Sequence, residues 1–586
     1  MLKLIKRFTK REWFFASLCL VFIVIQIGLN MTMPQYMSEI TILVETPGSA
    51  MDDVWKAGGM MLLCAFGSLI ASVISTIFTS LFGSGFAYIL RESIFKKVES
   101  FSMGEIGRFS TASLITRSIN DIQQVLMFIV MGIQMMIVAP ITAIWAIAKI
   151  FDKEWQWTLS LTIGVVILLA VVGVCIGLTM PKFRKMQELT DDMNRVTREN
   201  LSGIEVVRAY NAEDYQEKKF EDANQKLTDT HLFTQHTMAF MLPTIQLVMS
   251  GLSLAVYWLG ASLISSAATP ADRIALFGDM MVFTQYGVQV VMSFMMMVVI
   301  FMLMPRSLVS AQRINEVLDT EVAIKNGAKT EGLPGLSGDV EFRNVSFRYP
   351  DAEEDVIHNI SFSAKKGETV AIIGSTGCGK STVINLIPRF YDTTDGEVLV
   401  DGVNVKEYDE QALRNKISYV SQSAILFSGT IRSNIAYGDN GGPAPDQQAI
   451  EEAVRTAQAE DFVLKQDDTY DAYVARGGTN FSGGQKQRLS IARAIARKAE
   501  IIIFDDSFSA LDYRTDRALR KALDEECGDV TRLIVAQRIG TIRNADRIIV
   551  LDEGRIAGIG THSELMKNCE VYQQIALSQL SEKELA

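Results

Sequence analysis

Residues 370–381 read Val370-Ala371-Ile372-Ile373-Gly374-Ser375-Thr376-Gly377-Cys378-Gly379-Lys380-Ser381. Four strand-type apolar residues run into a Gly-x-x-x-x-Gly-Lys-Ser loop that a helix is expected to follow. The strand–loop–helix order is what a phosphate grip requires. The glycines let main-chain N–H groups close around phosphate oxygens, and the start of the helix adds its positive dipole end. Lys380 is expected to reach the β- and γ-phosphates and Ser381 to ligate Mg²⁺.

A second apolar strand, Ile501-Ile502-Ile503-Phe504, lies about 120 residues downstream and ends in Asp505. A carboxylate at a strand end beside the phosphate loop supports Mg²⁺ through coordinated water. Between the two motifs stands Phe481-Ser482-Gly483-Gly484-Gln485, with Lys486, Gln487 and Arg488 opening a helix. Its glycines let the backbone approach an anion closely, Ser482 adds a hydroxyl, and a helix N-terminus points at the turn.

Upstream, the composition changes. The chain has 586 residues, several times the size of one domain, with 48% hydrophobic and 21% charged residues. Its net charge of −11 argues against a nucleic-acid partner. Six scattered cysteines form no close pair, so neither a disulfide framework nor a zinc site is expected. Residues 1–320 carry six stretches long enough to cross a bilayer as helices, roughly 13–43, 55–90, 127–150, 156–180, 239–265 and 278–304. The expected organisation is a transmembrane domain over 1–320, a linker over 321–338 and an α/β nucleotide-binding domain over 339–586.

Lys3, Lys6, Arg7, Lys10 and Arg11 precede the first span, whereas Glu45, Asp52 and Asp53 follow it. This bias places the N-terminus in the cytosol and, after six crossings, the C-terminus with it. The first apolar run is too long for a signal peptide, and no small-residue cleavage site follows it. Residues 91–126 and 181–238 are charged and helix-patterned, so the spans are expected to continue as helical stalks. The sixth span holds eight methionines between Met280 and Met304, an adaptable apolar lining or lipid-facing filler. Gln26, Asn30, Gln134, Gln246, Gln285 and Gln289 lie at membrane depth, as interhelical hydrogen bonds or as cargo contacts.

The serine–glycine turn between the two phosphate motifs resembles the signature of ATP-binding cassette proteins. The whole chain is similar to a half-transporter of the type IV exporter class, with six spans fused to one P-loop cassette domain. The resemblance implies ATP and Mg²⁺ as ligands, and a phosphate-binding set running from Gly374 through Thr382. It implies a Mg²⁺-sensing Gln422, in Tyr419-Val420-Ser421-Gln422, that joins Ser381 and Asp505 at the metal. Tyr349 matches the aromatic that stacks on adenine, Ser509-Ala510-Leu511-Asp512 matches the D-loop, and a coupling helix is expected around 212–219.

Two positions depart from the family pattern. Asp506 stands where the family places the glutamate that polarises the attacking water. The shorter side chain withdraws the carboxylate by about 1.5 Å, and a misplacement of about 1 Å costs on the order of 10²-fold in rate. Gln537 stands where the family places a histidine on the γ-phosphate, and glutamine carries no proton or positive charge at neutral pH. Of the four histidines, His231, His236, His358 and His562, none lies near enough in sequence to substitute. The expectation is a site that binds ATP and cleaves it slowly, in a chain whose intact Ser482, Gly483, Gly484 and Gln485 complete the site of a different subunit.

A heterodimer follows, with a second half-transporter that keeps the glutamate and histidine. The expected assembly is a multi-pass multidrug exporter of hydrophobic or amphipathic compounds in a bacterial plasma membrane. The alternatives are a slow homodimer in which Asp506 still serves as base, exporting lipid or peptide, and an ATP-gated channel.

Overall fold

The computed structural model describes residues 2–46 and 48–579, in two compact units. One unit joins the chain through Val98 to Ala112–Thr320. The other joins Glu99–Thr111 to the chain from Glu321 onward.

The first unit has six helices long and apolar enough to cross a membrane: Lys10–Glu45, Met51–Glu99, Thr111–Ile150, Trp155–Ser202, Glu213–Ser266 and Pro270–Asp319, spans one to six. All six stretches expected from the sequence lie within them. A 48-residue helix such as span four is about 72 Å long against about 30 Å of hydrocarbon, so much of it is stalk. On the stalks, Glu199 of span four takes Arg195 at 2.8 Å and Lys219 of span five at 2.6 Å. Lys3 and Arg7 both pair with Asp319 (2.8 and 3.7 Å), which brings the start of span one beside the end of span six. Span six packs closely on span one because Gly278 has no side chain; a Cβ there would meet the Ser38 hydroxyl at 2.7 Å.

The helical stalks expected over 91–126 are present, as the ends of spans two and three with a break between them, and the coupling helix is not where it was expected. Span two ends at Glu99, and a separate helix, Met103–Phe109, belongs to the second unit. Ser102 and Glu105 form a reciprocal cap that starts this helix, Ser110 leaves it with φ 58°, and Glu105 accepts the Ala323 N–H at 3.2 Å. No separate helix occupies 212–219. The short helix there is Ile204–Ala209, and span five begins at Glu213, after Asn211 turns the chain through a left-handed conformation (φ 50°).

Among the described residues the second unit holds twelve strands in three sheets. One sheet is a two-residue pair, Gly429–Thr430 with Tyr473–Val474, and the two main sheets are formed by the other ten strands. We number them β1 (Val340–Phe347), β2 (Ile357–Ala364), β3 (Thr369–Gly374), β4 (Asp395–Val400), β5 (Val403–Asn404), β6 (Ile417–Val420), β7 (Ile501–Asp505), β8 (Thr531–Val535), β9 (Arg547–Asp552) and β10 (Arg555–Gly560). An antiparallel sheet runs β2-β1-β4-β5, and a larger one runs β10-β9-β3-β8-β7-β6, parallel except at β10. Parallel strands are covered on both faces, which explains the unbroken apolar runs of β3 and β7. All five residues of β7 are buried. Because β8 lies between β3 and β7, the carboxyl ends of all three open on one crevice, where ligands of such sheets bind. Residues 321–338 are pinned to this unit by Gly327, Ala328 and Lys329 on the carbonyls of Glu407 and Tyr408, and by Leu333 on that of Asp401.

Candidate nucleotide-binding site

β3 ends at Gly374, and helix Lys380–Leu386 starts after the loop. The turn requires left-handed backbone at Gly377 (φ 88°) and Gly379 (φ 97°). A Cβ at Gly374 would lie 2.2 Å from the Leu551 carbonyl oxygen, so no larger residue fits there. Lys380 is buried, and its ammonium donates to the carbonyls of Gly374 (2.9 Å) and Ser375 (2.7 Å), over the mouth of the loop.

The end of β7 brings Asp505 to the loop. Ser381 Oγ donates to its Oδ1 at 2.8 Å, and the Tyr419 hydroxyl, from the end of β6, lies 3.2 Å from its Oδ2 and 2.9 Å from Asn385 Oδ1. Burial pushes the Asp505 carboxyl up from its ordinary value, while Ser381, Tyr419 and Lys380 pull it back.

Asp506 is also buried. Its backbone is left-handed (φ 47°), and its N–H donates to the carbonyl of Val535 at 3.0 Å. Its side chain binds inward: Oδ2 accepts from Gln537 Nε2 at 2.9 Å, with Gln422 Nε2 at 3.5 Å from the same oxygen. Burial and the neighbouring Asp505 charge push this carboxyl up, opposed by Ser509, Lys380 and Gln422. The two residues that depart from the family pattern are therefore hydrogen-bonded to each other, a pairing that sequence order does not reveal.

One cavity of about 350 Å³ gathers Thr376, Gly377, Gly379, Lys380, Ser381 and Thr382 with Tyr349, Gln422, Asp505, Asp506 and Gln537. Gly374, Ser375 and Cys378 build the loop behind it. The Tyr349 hydroxyl lies 3.0 Å from Thr382 Oγ1, and its ring stands edge-on to Phe347 and Tyr391. Among the described residues no histidine lines the cavity. His562 is buried elsewhere, its Nδ1 2.8 Å from the Tyr572 hydroxyl.

Ser482, Gly483, Gly484 and Gln485 do not reach this cavity. Ser482 caps helix Gly483–Ala496. Its Oγ accepts the Gln485 N–H (3.3 Å), and Gln485 Oε1 accepts the Ser482 N–H (2.9 Å). The Gln485 side chain is thus engaged in the cap. The N–H groups of Gly483 and Gly484 have no intrahelical acceptor, Ser482 and Gly483 are exposed, and a Cβ at Gly483 would meet nothing within 4 Å. The turn is open to an anion approaching from outside the chain.

Sequence reasoning missed Tyr419, Asn385 and Tyr391. Only the sheet order, which sets β6 beside β7, shows that Tyr419 faces Asp505. Among the described residues no group of three or more His, Cys, Asp or Glu side chains could hold a metal. Beside the loop, the Asp505 carboxylate and the Ser381 hydroxyl make an all-oxygen set suited to Mg²⁺ shared with phosphates.

Six apolar spans joined to a P-loop sheet with an outward-facing signature turn define a membrane-bound ATP-binding cassette protein. The chain matches the ABC transporter transmembrane region over residues 16–294 and the ABC transporter domain over residues 357–509. It is 40% identical to an uncharacterized ABC transporter ATP-binding protein of Mycobacterium tuberculosis, over 89% of this chain and 87% of that protein. It is 34% identical to an ATP-dependent lipid A-core flippase of Pseudomonas fluorescens, over 88% and 84%. Its fold is similar to that of a bacterial Atm1-family ABC exporter with ATP bound (TM-score 0.79, 22% identity, 98% of this chain and 100% of that one). The chain belongs to the ABC transporter family and has the exporter fold.

Proposed function

We propose that this chain is the slow-site half of a heterodimeric ATP-driven exporter that moves hydrophobic or amphipathic compounds, drugs among them, out of a bacterial cell. The observation that carries the reading is the Gln537–Asp506 hydrogen bond (2.9 Å). A carboxylate that accepts a neutral amide and is held back by a short side chain is poorly placed to take a proton from water. Glycine-loop N–H groups and Lys380 bind the triphosphate. Ser381, Asp505 and Gln422 would hold Mg²⁺, which neutralises phosphate charge when bound. Tyr349 supplies an aromatic surface for the base.

The rapid site is completed across the dimer by Ser482, Gly483 and Gly484 on the phosphates held by a partner with glutamate and histidine in place. ATP closes the pair because it binds the closed state more tightly, and that closure shifts the spans outward. Both termini lie in the cytosol; the basic N-terminal flank and the Lys3–Asp319 pair, which joins the two ends of an even number of crossings, support this.

The test is asymmetric replacement in the purified complex. Asp506→Asn leaves turnover nearly unchanged, whereas replacing the partner's catalytic glutamate abolishes it. Equal losses overturn the heterodimer. The lipid A-core flippase relative favours a second reading, a homodimer that moves lipid. Brisk ATPase and lipid transfer by this chain alone would establish it.

A further inference from the structure

Helix Glu570–Gln579 has no part in the chemistry above. Its Tyr572 and Ala576 are fully buried, in one apolar cluster with Ile539 and Ile542, and the Tyr572 hydroxyl lies against His562 Nδ1. Gln579 continues the same stripe, because positions i, i+4 and i+7 share a helix face. The packing of Tyr572 and Ala576 therefore delivers a polar amide, about 10 Å along the helix from Tyr572, to the loop that follows β8.

There the amide meets main chain on both sides of Arg538. Gln579 Oε1 accepts the Ile539 N–H at 2.9 Å, and its Nε2 donates to the Gln537 carbonyl at 2.6 Å. A short helix, Ile539–Ile542, begins at this point, and Arg538 at its N-cap supplies no side-chain acceptor. Without Gln579 the Ile539 N–H would be an orphan donor on a fully buried residue. On the other side, the Ala536 N–H is held by the Ile372 carbonyl of β3 at 3.2 Å. Only Gln537 and Arg538 lie between these two anchors.

Both of their side chains reach the nucleotide machinery. Gln537 Nε2 donates to Asp506 Oδ2 at 2.9 Å, and Arg538 Nη2 donates to the Ser509 carbonyl at 3.3 Å. A hydrogen bond of that first length is lost when its donor drifts by about 1 Å, so the pairing of Gln537 with Asp506 needs a fixed main chain beneath it. Gln579 itself does not line the nucleotide cavity.

We propose that Gln579 is a positioning residue for the nucleotide site. It clamps the main chain across Arg538 and thereby holds Gln537 on Asp506. The clamp rests on geometry alone; the sign of its effect rests on the slow-site reading, in which the Gln537–Asp506 bond restrains cleavage.

The test is a double-mutant cycle in the complete transporter, read by photolabelling with 8-azido-ATP labelled at the α- or the γ-phosphorus. The cross-link marks the chain whose loop holds the nucleotide, and loss of γ-label against α-label gives the cleavage rate there. Gln579→Ala is expected to raise that rate about threefold, the factor carried by one neutral hydrogen bond, and to add nothing once Gln537→Ala is present. It also speeds hydrogen exchange at the Ile539 amide. Gln579→Glu keeps the acceptor and loses the donor, so it raises the rate while that amide stays protected. An equal change with and without the Gln537 side chain, the mark of a helix that is merely braced, overturns the clamp. An unchanged rate in Gln579→Ala overturns it too. A fall in rate that Gln537→Ala abolishes upholds the clamp and overturns the slow-site reading. If Gln579→Ala does not fold, the same cycle with Gln579→Glu decides on the same terms.

Discussion

At the phosphate loop the polar side chains of the cavity turn towards one another: Ser381 to Asp505, Gln537 to Asp506, Lys380 to the loop carbonyls. At the signature turn of the same domain, Ser482 and Gly483 are exposed, and the Gly483 and Gly484 N–H groups have no acceptor within the helix. Under the function proposed above, one surface retains its ligand and the other acts on a ligand that a different chain presents. The sequence departures follow the same division, since both fall at the cavity and none in the turn. Random decay of an ATPase would not respect that boundary, which is why the contrast favours a lending role.

The largest effect is expected from restoring the cavity. Asp506→Glu with Gln537→His should raise cleavage at this chain's own loop on the order of 10²-fold. Single-turnover phosphate release on a Ser482→Ala background reads it, because that background silences the other composite site. No gain would mean that the two residues are not what slows the site, and the contrast would break.

Ser482→Ala alone comes next. It should lower steady-state ATPase of the complex about tenfold or more, the cost of a hydrogen bond to a charged phosphate, while ATP binding to this chain's loop stays intact. A matching loss of that binding would show that the turn serves its own chain. Tyr349→Ala should then weaken ATP binding about fivefold, from a lost aromatic contact of about 1 kcal/mol, with turnover at saturation unchanged. The smallest effect is that of Asp506→Asn, expected within about twofold of wild-type turnover. A large drop there would restore Asp506 as a working base and merge the two surfaces into one role.

The parts of this site legible in the sequence are those where a motif supplies its own geometry. Gly374–Ser381 encodes its turn because only glycine fits at Gly374 and Gly379, and the apolar runs of β3 and β7 encode a parallel sheet. The six spans were legible because hydrocarbon demands long apolar helices. Long-range pairing was not. That Gln537 would bond Asp506 rather than stand free for phosphate depends on β8 lying between β3 and β7. That Gln26 and Gln289 line one cavity of the membrane unit while Gln134 and Gln246 lie elsewhere depends on helix register. The helix Met103–Phe109 was overlooked for a different reason. Its Ser102-x-x-Glu105 cap is a readable start signal, hidden within a charged, helix-patterned stretch.

That short helix has a consequence for how the molecule holds together. Because Glu99–Thr111 folds with the cassette unit, the polypeptide passes between the two units three times, after Val98, after Thr111 and after Thr320. A single proteolytic nick beyond Thr320 therefore leaves a double thread still joining the membrane unit to the cassette unit, and the fragments should part only when residues 99–111 are cut from their neighbours as well.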